Sequence, residues 1–144
     1  MADTAAAIVL YDADCGWCRW SLAQLLRWDR RRRLATLPIQ APAADAILAG
    51  LTPPQRLASW HLRAPDGRLH SGGAALAPLF ALLPGGAPIA RVAAALPRPA
   101  DRAYRWIAAH RRLLSRPLRP AAIARADKLV DERRSPAGDA LRGR

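Results

Sequence analysis

Leu10–Trp20, LYDADCGWCRW, holds both cysteines of the chain, at positions 15 and 18. The residues just before them, Ala7–Tyr11 (AIVLY), form a short unbroken apolar run that suits a strand buried on both faces. From Cys15 the period changes. Cys18, Leu22, Leu25 and Leu26 recur at i, i+4, i+7 and i+8, while Arg19, Ala23, Arg27 and Arg30 take the opposite face, as in an amphipathic helix. The cysteine pair therefore sits at a strand-to-helix junction. The helix is expected to end in Arg30–Arg33, where cations favour the negative end of the dipole.

Three roles fit such a pair: a disulfide staple, half a metal site, or a redox dithiol. A staple across so short a loop removes little entropy from the unfolded chain. A structural zinc site needs four ligands, usually from a second CxxC or a close His pair. His61, His70 and His110 are the only other soft ligands, and only His61 and His70, flanking one hairpin, approach a Cys2His2 arrangement. The redox reading needs nothing further. At a helix N-terminus free N–H groups and the dipole stabilise a thiolate, which makes Cys15 the nucleophile. Cys18, one turn on and in phase with the apolar stripe, is the more buried sulfur and resolves the mixed disulfide. A CxxC near a β-α-β pattern is a known redox signal.

The neighbours have readings of their own. Asp14 stands where a helix N-cap belongs, and Asp12, at the strand end, is placed to accept a proton from Cys18. Both carboxylates oppose the thiolate that the helix favours. Trp17, between the cysteines, is expected to shape the partner-binding surface. Trp20, Trp28, Trp60 and Trp106 read as packing residues.

Further along, Leu34–Ile39 (LATLPI) reads as a second strand reached by a right-handed crossover, and Pro38 puts it at an edge or at its own end. Residues 43–50 make a short helix, and Thr52-Pro53-Pro54 opens a loop or helical turn. Residues 57–63 and 68–71 read as a β-hairpin about Asp66–Gly67. Helices are expected over 74–83, 88–96, 100–115 and 119–134, followed by a frayed tail, RSPAGDALRGR. The order up to residue 83 is β-α-β-α-β-β-α.

The chain has 144 residues, 51% of them hydrophobic, a length for one globular domain with a sizeable core. Residues 72–90 lack charge, but Pro78, Pro84, Pro88 and Gly85–Gly86 break them into two short buried helices rather than one membrane span. The N-terminus lacks the basic region of a secretory signal, so a cytoplasmic location is expected, where stable structural disulfides are uncommon. Net charge is +12; residues 98–144 hold 13 basic against 5 acidic side chains. Such an excess attracts nucleic acid, anionic membranes or acidic partners. Every cation but Lys128 is arginine and alanine is more abundant still, the mark of coding bias, so nucleic acid is not the expected partner.

LYDADCGWC resembles the Y-D-x-D-C-x-x-C signature of the DCC family of predicted thiol-disulfide oxidoreductases (domain of unknown function 393). APDGRLHSGGAALAPLFALLP resembles that family's D-G-x-x-x-x-G-x-x-A segment and the helix after it, and AYRWIAAHRRLLSR, residues 103–116, its closing Tyr…Ala…Arg helix. The resemblance covers about residues 7–116. It implies a thioredoxin-like three-layer α/β fold, with a mixed four-stranded sheet and extra C-terminal helices. It also implies dithiol-disulfide chemistry on Cys15 and Cys18. Residues 1–116 are then the thioredoxin-like domain and 117–144 an Arg-rich helical extension with a frayed tail. Thioredoxins place a cis-proline opposite the CxxC; here Ala58 or Ser59 holds that place, and Ser59 is expected to give main-chain contacts to a bound peptide. Gly16–Trp17 replaces the Gly-Pro that thioredoxins use between their cysteines.

The functional expectation is disulfide exchange with a protein or low-molecular-weight thiol, with no cofactor, no bound metal and a reductant that the sequence does not name. The alternatives are a non-catalytic thioredoxin-like module docking a protein partner or acidic surface, and a thiol-based metal or redox sensor.

Overall fold

A computed structural model of the chain describes residues 7–136. Strand β1 (Ala7–Tyr11) runs through the middle of a four-stranded sheet of order β2-β1-β3-β4, and all five of its residues are buried. It pairs in parallel with β2 (Leu34–Pro38) and antiparallel with β3 (His61–Arg63), which pairs antiparallel with β4 (Leu69–Ser71). Pro38 ends β2, which lies at the sheet edge as the sequence implied.

Seven α-helices are found among the described residues: α1 (Gly16–Trp28), α2 (Pro42–Ile47), α3 (Pro53–Ala58), α4 (Leu76–Leu82), α5 (Ala87–Ala95), α6 (Pro97–Ser115) and α7 (Pro120–Glu132). A 3-10 turn at Gly72–Ala75 leads into α4. The alternation along β1 builds two cores. Val9 and Tyr11 meet Leu22 and Leu26 of α1, Leu79 of α4 and Val130 of α7 on one face. Ile8 and Leu10 meet Leu37, Ala44 and Leu48 on the other. Each fully buried Leu of this kind contributes about 1.5–3 kcal/mol. The mixed sheet with helices on both faces is the thioredoxin-like architecture.

Several expectations need correction. Helix α1 stops at Trp28, before the arginine run. Buried Asp29 accepts the N–H groups of Arg33 and Leu34 at 3.0 and 2.8 Å, which turns the chain into β2 and leaves Arg30–Arg33 in the connection. Leu57 and Ala58 belong to α3 rather than to the hairpin, because Thr52 and Gln55 form a reciprocal capping box with Pro53 behind it. Of the two apolar helices after residue 72, α5 is largely exposed, with Ala90 its buried residue. Trp106 is 58% exposed and stacks on His110 instead of packing inside.

The opposite face of α1 is not a solvent face. Helix α7 lies across it, burying Ala23 completely and pairing Arg19 with Asp127 at 2.8 Å. Beyond α7 the expected fraying does not begin at once: Ser135 N–H donates to the Thr36 carbonyl, and Thr36 N–H to that of Arg133, both at 2.8 Å. This contact covers the outer edge of β2, which would otherwise offer open pairing groups. The rest of the expected tail, residues 137–144, lies outside the described residues.

Candidate functional site

The site forms where β1 runs out. Asp12 turns the chain: its carboxylate accepts the Asp14 N–H at 3.0 Å and its carbonyl the Cys15 N–H at 3.3 Å. That turn delays the helix by one residue. Cys15, with extended backbone, becomes the N-cap, and the Arg19 N–H closes the first helical turn on its carbonyl at 3.1 Å. Asp14, expected as the cap, is instead exposed one residue upstream.

As N-cap, Cys15 directs its Sγ at the helix end and accepts the Cys18 N–H at 3.2 Å. The two cysteines lie 5.2 Å apart between Cα atoms and are joined as a disulfide, a separation within the usual range for such bridges. A sulfur that receives a helix N-terminal N–H is one whose anionic form is favoured on reduction.

Residues far away in sequence complete the site. The Trp17 N–H, another orphan donor of the first turn, is accepted by Ser115 Oγ at 3.0 Å, and that hydroxyl donates to the Arg111 carbonyl at 2.8 Å. The end of α6 thus abuts the start of α1. A Cβ on Gly16 would stand 3.3 Å from Ile123 Cδ1, so the glycine permits close packing of α7 there. Asp12 is held from two sides, by Gln40 Nε2 at 2.8 Å and by Arg111 Nη1 at 3.8 Å.

Behind the disulfide lies a cavity of about 220 Å³. Cys18 forms part of its wall, together with Asp12, Trp17 and Ser59, so the candidate residues named from sequence, apart from Cys15 and Asp14, border one space. Leu22, Leu25, Leu79 and Phe80 make it mainly apolar. Trp17 packs its ring on Trp20, centroids 5.3 Å apart. Ser59 is extended as it enters β3, at φ −152° and ψ 169°. Tyr104 borders the same space; its hydroxyl accepts the Trp60 N–H at 3.0 Å, and burial raises its pKa above the ordinary 10.0. Gly73 lets α6 come this close, since a Cβ there would collide with the Asp101 backbone.

The family model for DCC1-like thiol-disulfide oxidoreductases matches residues 9–117. This chain belongs to that family. The match spans the sheet, the cysteine helix and α6, and ends just before α7. No curated protein and no solved structure matches the chain. Within the DCC1-like domain the closing helix puts Tyr104, Ala108 and Arg111 on the cavity.

The histidines take no part in this site. His61 lies buried on the far face of the sheet, with Nδ1 2.6 Å from Ser71 Oγ and Nε2 2.9 Å from the Arg56 carbonyl. Burial lowers its pKa below the ordinary 6.5. Among the described residues no three His, Cys, Asp or Glu side chains group as metal ligands, and no helix is long and apolar enough to cross a membrane.

Gln40 and Ser115 carry no motif of their own in the sequence, and Arg111 is marked there only by the Tyr…Ala…Arg pattern of the closing helix. Only the folded helix order brings them to the cysteines.

Proposed function

We propose that this DCC1-like protein is a thiol-disulfide oxidoreductase working through Cys15 and Cys18. The observation that carries the reading is the Cys18 N–H donated to Cys15 Sγ at the N-terminus of α1. In the reductive direction the Cys15 thiolate attacks a substrate disulfide. A Cys15–substrate bond forms, and the other substrate sulfur leaves as a thiolate that takes up a proton. Cys18, passing its proton to Asp12, then attacks Cys15 Sγ; the intramolecular bridge forms and the second substrate sulfur is released. Two electrons move from the dithiol to the substrate, and a thiol reductant restores the dithiol. Trp17 and Ser59 contact the substrate. The cytoplasm, where disulfides are transient, suits this cycle.

The test is trapping. Cys18→Ser leaves Cys15 unable to be released, so mixed disulfides with cellular proteins or small thiols accumulate at Cys15. Recovery of none, with Cys15 inert to alkylation, would sink the reading.

A second reading is favoured by one observation: α6 exposes Trp106 and Leu113 beside Arg102, Arg105 and Arg112. A non-catalytic module docking an acidic protein through this face would show salt-sensitive binding that survives replacement of both cysteines by serine.

A further inference from the structure

The cavity behind the disulfide has a size, a lining and a position, and together they specify an occupant. An apolar cavity of about 150 Å³ holds a benzene ring. The 220 Å³ here therefore takes one phenyl or branched aliphatic group, and not a whole tripeptide. Its lining is apolar over most of its extent, with Arg111 and Asp12 facing each other at 3.8 Å as a mutually neutralising pair. That arrangement gives no excess charge to receive the carboxylates of glutathione. Cys18 is itself part of the wall, so a chain joined to Cys15 carries its neighbouring residue, about 3.8 Å away between Cα atoms, toward the opening. Ser59, extended where α3 ends, borders the same space and has main-chain groups within reach of a bound peptide.

We propose that this cavity is the specificity subsite for a large apolar side chain, phenylalanine or leucine, adjoining the reacting cysteine of a protein disulfide. The inference rests on the exchange reading and names its substrate class. Such a residue leaves water on docking, a gain that adds to the exchange at Cys15 and is open to the free side chain as well.

The test uses the reduced protein in single turnover with two cystine peptides that differ only in having Phe or Gly next to the reacting cysteine. The Phe peptide is expected to react at least tenfold faster, a difference of about 1.4 kcal/mol. Ala108→Phe, which places a ring in the cavity, is expected to bring the ratio close to one. Equal rates for the two peptides in the unaltered protein would overturn the subsite and leave the exchange reading standing. If no disulfide exchanges at all, the failure belongs to the redox reading, and N-acetylphenylalanine amide decides the subsite. Shifts in the Leu79 and Ala108 methyl NMR signals on its addition uphold the subsite, and their absence rejects it.

Discussion

Ser115, the last residue of α6, accepts the backbone N–H of Trp17 in the first turn of α1 at 3.0 Å. The cysteine helix is thus completed by a side chain from the far end of the family domain. A serine that satisfies an otherwise orphaned helix donor contributes about 1 kcal/mol. Ser115→Ala is therefore expected to lower the thermal midpoint by about 2–4 °C, measured by circular dichroism on the reduced and oxidised forms. An unchanged midpoint in both would remove this hydrogen bond from the account.

Asp29 and Arg133 give a larger effect. The carboxylate is fully buried, and the guanidinium donates to it at 3.0 Å and to the Asp29 carbonyl at 3.2 Å. Removing either partner leaves a buried charge uncompensated, at about 3–5 kcal/mol. Asp29→Ala and Arg133→Ala are each expected to lower the unfolding free energy obtained from urea titration by that much or to unfold the protein. The double variant is expected to lose less than the two singles together. Strict additivity would show that the pair is not coupled.

How much of this was open to sequence reading depends on whether the signal was local. β1, α1, β2 and the β3–β4 hairpin follow from apolar periodicity and turn residues, which act over a few positions. The covering of α1 by α7 does not: Arg19 and Ala23 look like an exposed face until Asp127 and Ala126 arrive from more than a hundred residues away. The Asp14 expectation failed by one residue because the Asp12 turn consumes the Asp14 and Cys15 N–H groups first. For α3 the Thr52–Gln55 box was present in the sequence and outweighed the strand-like composition of LASWHLR. The cavity had no sequence signature beyond the Tyr…Ala…Arg spacing of α6.

The buried titratable groups set the pH limits. His61 has a folded pKa below 6.5, because burial disfavours its charged form. The unfolded chain then binds more protons below pH 6.5, so stability present above that pH is lost as the pH falls through the folded value. The chain has two tyrosines, Tyr11 and Tyr104, and burial raises both above 10.0. Here the unfolded chain releases protons first, so stability falls as the pH rises past 10. A urea-midpoint series is expected to decline on both flanks. Tyrosinate absorbance is expected to appear above pH 10, together with unfolding. Free ionisation of both tyrosines at pH 10 with the fold intact would contradict their burial.

In the proposed exchange Asp12 takes the proton of Cys18. General base assistance of this kind is worth about 10²-fold or more. In Asp12→Asn, release of substrate from the Cys15 mixed disulfide is expected to slow by about that factor, so the covalent complex accumulates in rapid-quench gels and its decay changes pH dependence. Decay at the unaltered rate would move the proton acceptor elsewhere.

The central claim is that Cys15 and Cys18 interconvert between dithiol and disulfide at a defined potential. Equilibrating the protein across a series of glutathione redox buffers, alkylating free thiols and weighing the intact chain measures this directly. The account predicts two populations that exchange with the poise: one doubly alkylated, the other unalkylated and lighter than the unmodified dithiol by two protons. A chain doubly alkylated at every poise, with no disulfide form at any of them, would contradict it.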